Sequence, residues 1–125
     1  MPKMAKDDGT VTRMGPVVDR QQDLGDGTTV QVTTFAVAVD GTSMMVGLPD
    51  DRCQCPHWGY VVSGKMTFRH ADGEEAFEAG DAFYVPPGHV PVVQAGTEMI
   101  QFSPSEELKK TEEVMQKNMQ AMQGG

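Results

Sequence analysis

The chain has 125 residues, of which 38% are hydrophobic, 22% charged and 6% aromatic, a profile that fits one globular domain with a modest core. Its formal net charge is −8, with ten Lys and Arg and no basic run, which argues against nucleic acid and anionic membrane surfaces as partners. No stretch approaches the roughly 20 apolar residues that span a bilayer, and residues 1–10 lack the apolar segment of a secretory signal, so a cytoplasmic location is expected.

Residues 1–10 read as a charged, flexible leader without periodicity. Residues 28–40 are rich in β-branched side chains and close at Gly41, so they predict one long strand. A short apolar run over 42–48 ends at Pro49, Asp50 and Asp51. Residues 57–63 and 65–70 predict two strands joined around Gly64. Asp72-Gly73 predicts a type I′ hairpin turn, which needs positive φ at both central positions, with 74–79 as the return strand. Gly80-Asp81 turns the chain again, 82–85 runs to Pro86-Pro87-Gly88, and 90–94 and 98–102 flank an Ala95-Gly96-Thr97 turn. Fourteen Gly and eight Pro supply these turns. Short strands so spaced, with no helix between them, predict an all-β antiparallel sandwich or barrel over residues 11–103.

The C-terminal segment follows another rule. Ser103-Pro104-Ser105-Glu106 carries a capping-box pattern with proline at the first helical position. Glu106 and Lys110, and Glu113 and Lys117, are i,i+4 pairs in the favourable order. Leu108, Met115, Met119 and Met122 share one face. The expectation is one amphipathic helix over 104–123, its methionines packed on the barrel or on a partner subunit.

Residues 80–89, Gly-Asp-Ala-Phe-Tyr-Val-Pro-Pro-Gly-His, resemble the second motif of the cupin superfamily: a glycine, five residues, then proline-x-glycine. Residues 57–66 look like the end of the first cupin motif, and the fifteen residues between Gly64 and Gly80 match the short spacing of compact bacterial cupins. The resemblance covers residues 28–103 and implies a double-stranded β-helix, or jelly-roll, barrel whose mouth holds a metal or small ligand. The family's first motif supplies two histidines and a glutamate. Counted back from Gly64, the glutamate position holds His57, the second histidine falls on Cys53 or Arg52, and the first on Asp51 or Asp50. The family's last histidine falls on Pro91, two residues after His89.

The remaining candidate metal ligands are Cys53, Cys55, His57 and His89. Residues two apart share a strand face, so Cys53 and Cys55, or Cys55 and His57, could reach one ion. A straight strand spreads Cys53, Cys55 and His57 over about 13 Å, but Pro56 favours a bend there. Thiolate and imidazole suit zinc or copper, and imidazole with Asp50 or Asp51 suits iron. A disulfide between Cys53 and Cys55 would close a strained ring, so both are expected as reduced thiols. Each candidate also has a bland account: small buried thiols, a hydrogen-bonded core imidazole at His57, and a solvated ring at His89. His70 reads as surface, Asp72, Glu74, Glu75 and Glu78 as a solvated hairpin face, and Trp58 and Tyr60 as core or subunit contacts. Two functions compete: a metal-dependent enzyme acting on a small organic molecule (oxygenase, isomerase or decarboxylase), and a non-enzymatic module that binds a metal or metabolite. A homodimer is expected in either case.

Overall fold

The computed structural model describes residues 3–5 and 7–124, with all their side chains except those of Met14 and residues 122–124. Met122 of the expected helical face therefore lies outside the described side chains. Chain order begins with a hairpin of β1 (Thr10–Met14) and β2 (Val17–Asp23), then β3 (Thr28–Phe35) and the short β4 (Val39–Asp40). β5 (His57–Ser63), β6 (Lys65–His70), β7 (Gly73–Glu78), β8 (Ala82–Val85), β9 (Val90–Val93) and β10 (Thr97–Pro104) follow, and α1 (Ser105–Gly124) closes the chain. One sheet has the order β1-β2-β3-β10-β5-β8 and the other β4-β9-β6-β7, with all pairings between these strands antiparallel. This is the two-sheet jelly roll expected, with a C-terminal helix.

Strands from β5 to β9 lie within a residue or so of their expected bounds, because alternation and glycine punctuation both mark them. Four differences have local causes. β1 and β2 carry no alternating apolar signature, since Asp19 and Gln21 occupy two of the inward positions of β2. The expected long strand over 28–40 breaks after Phe35, where the chain crosses to the second sheet as β4; Ala36 N donates to Pro16 O and Gly96 N to Phe35 O at this corner. At the β6–β7 hairpin, His70 pairs with Gly73, so the loop is Ala71-Asp72 and the expected type I′ turn does not form; Asp72 keeps negative φ, while Gly73 adopts φ 148°. Finally, Pro104 is the last residue of β10, opposite Thr28, and Ser105 N donates to Gly27 O, so the proline belongs to the strand and α1 begins one residue late.

The apolar run over 42–48 starts in a 3-10 turn, Gly41–Met44, and a second 3-10 turn, Pro49–Asp51, follows it. Asp40 Oδ1 accepts from Thr42 N at 3.0 Å and Thr42 Oγ1 at 2.6 Å and so starts the first turn. These hydrogen bonds, side chain first, hold the Asp40 carboxyl below its ordinary value. Across the gap, Asn118 of α1 donates to Met44 O and Val46 O at 2.7 and 2.8 Å, which ties the helix to this loop.

Val61, Met66, Phe68, Phe83, Val85, Val93 and Met99 pack between the sheets. Burying each such side chain contributes about 1.5–3 kcal/mol. A second cluster, Met45, Cys53, Cys55, Val90 and Leu108 with Met115 against it, seats α1 on the barrel. The hairpin strand β7 is largely exposed, as its acidic composition implies.

Candidate metal centre

Three of the four candidate ligands converge. Cys53 Sγ and one ring nitrogen each of His57 and His89 lie within 4.8 Å of one another, and all three residues are buried. The backbone makes this meeting. Cys53 and His89 form an antiparallel bridge, with Cys53 N donating to His89 O at 2.8 Å and Gly88 N to Cys53 O at 2.8 Å. Residues 54–56 lie outside the strand ladders, between the Cys53 bridge and the start of β5 at His57. Cys53 Sγ is then 3.9 Å from His57 Nε2 and 3.8 Å from Thr111 Oγ1 on α1.

The imidazoles are held from behind. His89 Nδ1 donates to Pro86 O at 2.9 Å, since a carbonyl can only accept, which leaves Nε2 with its lone pair. His57 Nδ1 is hydrogen-bonded to Ser103 Oγ at 2.7 Å, which turns its Nε2 toward Cys53. The rings stand edge to face with centroids 5.0 Å apart. Burial, then the neighbouring His89, lowers the His57 pKa to about 3, and burial lowers that of His89 to about 4, so both are neutral at pH 7. Burial pushes the Cys53 thiol up, so it is protonated at neutral pH without a cation nearby.

Cys55 is not brought into this group. Its thiol lies near Pro56 O at 3.5 Å and interacts with Ser103, and burial with neighbouring Cys53 pushes it up to about 12. Both cysteines are free thiols, as expected. Asp50 and Asp51 stay exposed, with Asp51 Oδ1 accepting from Gly47 N, so neither carboxylate approaches the imidazoles. His89 is 1% exposed, which rules out a solvated ring. His70 is half-buried rather than superficial: its ring lies 6.2 Å from that of His89, and its Nε2 is buried without a partner among the described residues.

The donors line a cavity of about 640 Å³ between the sheets, closed on one side by Leu108, Thr111, Met115 and Met119 of α1. That volume suits a small organic molecule. Sequence reasoning missed several residues of its wall: Asp19, Gln21, Gln31, Gln101 and Glu112. For Gln31 and Gln101 the available signal was a polar residue inside a strand-like segment; Asp19, Gln21 and Glu112 carried none. By contrast, Trp58, Tyr84, Tyr60 and Phe102 lie on the outer face of the larger sheet, 49, 50, 45 and 40% exposed, so Trp58 and Tyr60 are not core residues.

No family model and no curated protein matches the chain. Solved structures do match. An RmlC-like cupin from Shewanella frigidimarina is 18% identical, with a TM-score of 0.55 over 81% of this chain and 88% of that one. KdgF from Halomonas sp. is 17% identical, with a TM-score of 0.54 over 76% and 86% of the two chains. The EutQ protein of Clostridium difficile is 11% identical at a TM-score of 0.53; the match covers 72% of this chain and 64% of that protein. With its two-sheet topology and motif glycines, the chain has the cupin fold.

Proposed function

We propose that Cys53, His57 and His89 hold one divalent metal ion, zinc, copper or iron, beside a cavity that admits a small organic molecule, and that the protein is a metal-dependent enzyme. The observation that carries this reading is the convergence of three donor atoms within 4.8 Å, with both His57 and His89 hydrogen-bonded through Nδ1. Such backing orients an imidazole toward a metal. The donor set fits an ion: neutral imidazoles offer lone pairs, a thiol ionises on coordination, and closing the group by about 1 Å reaches zinc–ligand distances. One thiolate and two imidazoles suit zinc or copper better than iron. When bound, the ion would polarise a substrate oxygen or activate water or dioxygen.

The chain's own residues then have definable tasks. Ser103 and the Pro86 carbonyl set the ring orientations, Thr111 backs the sulfur, and Phe68, packed edge-on against His89 at 5.1 Å, keeps water away. Three protein ligands leave a position open, which favours catalysis over storage; recruitment of Cys55 as a fourth would favour a binding module. The exposed aromatic stripe Phe102–Trp58–Tyr84 supports association of two copies, since such faces mark interfaces. No described helix is long and apolar enough to cross a membrane.

Elemental analysis of untagged protein purified without chelator tests the centre. Near-stoichiometric metal is expected in the wild type and in Cys55→Ser, and its loss in Cys53→Ser, His57→Ala and His89→Ala with far-UV circular dichroism unchanged. No metal after reconstitution with zinc, copper and ferrous iron would overturn the reading.

A further inference from the structure

The same cavity has a second polar region, on the inner face of β2, β3 and β10. Gln21, Gln31 and Gln101 are direct register partners across these strands. One step along, Asp19 is 4% exposed and accepts from Gln21 Nε2 at 2.8 Å, Gln31 Nε2 at 3.1 Å and Thr33 Oγ1 at 2.6 Å. A carboxylate only accepts, so it dictates the direction of the whole ladder. Gln31 must turn its NH2 to Asp19 and its Oε1 to Gln101, and Gln101 in turn donates to Gln31 Oε1 at 2.8 Å. The end of the ladder is Gln101 Oε1. This oxygen has no partner among the described residues, in a side chain only 7% exposed that lines the cavity. The buried side-chain atoms without a partner among the described residues do not include it, so Gln101 Oε1 opens onto the cavity and is free to accept from a donor on whatever fills it.

The other end is anionic. Gln21 Nε2 also donates to Glu112 Oε2 of α1, so two carboxylates share one amide. No cation neutralises them: the ion pairs among the described residues are those of Arg69 with Asp40 and Glu74, and Arg13, which lines the cavity, is exposed and joins neither carboxylate. Burial, with Asp19 adding repulsion against a Gln21 hydrogen bond, raises the Glu112 carboxyl. The facing wall is apolar, with Met66, Phe68 and Val93.

We propose that the strip from Gln101 to Glu112 is a ligand-anchoring subsite that takes the protonated amine of a small molecule with an apolar body. Asp19 and Glu112 supply the counter-charge, Gln101 Oε1 accepts a further N–H or O–H, and the methionine and phenylalanine wall takes the hydrocarbon. The proposal rests on the reading of the cavity as the ligand chamber. Organic anions are rejected, because they would meet two carboxylates in a low-dielectric space.

Calorimetric titration of hexylammonium, hexanol and hexanoate tests this, using wild type in chelator-treated and metal-loaded forms. Hexylammonium is expected to bind at least about tenfold more tightly than hexanol, as charge-assisted hydrogen bonds require, and hexanoate not measurably. Glu112→Gln keeps an acceptor for Gln21 and should weaken hexylammonium about tenfold. Glu113→Gln makes the same charge change on the exposed face of α1 and should leave it unaltered. Equal binding of the three probes, no binding of any, or equal effects of the two variants would overturn the subsite. Metal content reports separately on the centre: amine selectivity without metal keeps the subsite, and metal without selectivity sinks it.

Discussion

Acid should destabilise the metal-free protein through two identified imidazoles. In the unfolded chain His57 and His89 titrate near 6.5, whereas in the fold burial holds them at about 3 and about 4. Below 6.5 the unfolded state therefore binds protons that the folded state refuses, and stability falls as pH falls through that value. At pH 5 each group lies about 1.5 units below its unfolded pKa, which removes about 2 kcal/mol per imidazole, or about 4 kcal/mol for both. That is a large share of the roughly 5–15 kcal/mol typical of a domain. Glu112 opposes the trend, because its raised carboxyl favours the folded state once it begins to protonate. Urea unfolding at pH 8, 7, 6 and 5 after chelator treatment measures the loss, with His57→Gln/His89→Asn as the reference. The wild type should lose about 4 kcal/mol between pH 8 and 5 and the double variant less than about 1 kcal/mol. Parallel curves for the two proteins would refute dry, neutral imidazoles.

Zinc affinity should rise about tenfold per pH unit between pH 6 and 8, because coordination displaces one proton, that of the Cys53 thiol, while both imidazoles are already neutral; a competition assay with a chromophoric chelator reads the slope, and a flat profile excludes Cys53 as a ligand. Gly59→Ala should destabilise by about 1–3 kcal/mol, since an added Cβ would meet Ile100 O and lie 2.5 Å from Phe83 Cζ; thermal unfolding checks it. Asn118→Ala should cost about 1–3 kcal/mol through its two lost hydrogen bonds and speed amide exchange in the 44–47 loop. Trp58→Lys should convert a dimer to a monomer in sedimentation velocity, and a monomeric wild type at micromolar concentration would exclude the homodimer.

The sequence by itself determined the strands whose inward positions are apolar and whose ends are glycines, from His57 through Val93, and with them the cupin motifs. It also determined the amphipathic helix, because local periodicity and i,i+4 charges suffice to specify one. It singled out His57, His89 and Cys53 as ligand types but left the choice between Cys53 and Cys55 open, since both sit on one short segment. Tertiary structure places the two sulfurs differently: backbone pairing of Cys53 with His89 sets Cys53 Sγ 3.9 Å from His57 Nε2, whereas the Cys55 thiol lies by Pro56 O and Ser103. β1 and β2 stayed hidden for a related reason. Two inward residues of β2, Asp19 and Gln21, look like loop residues until register with Gln31 and Thr33 supplies the hydrogen bonds that allow their burial. Glu112, an ordinary solvated helix residue in sequence, becomes part of the cavity only because α1 folds back across the barrel and meets Gln21, 91 residues away. Polar residues acquire their roles from partners distant in sequence, and that distance is closed only by the fold.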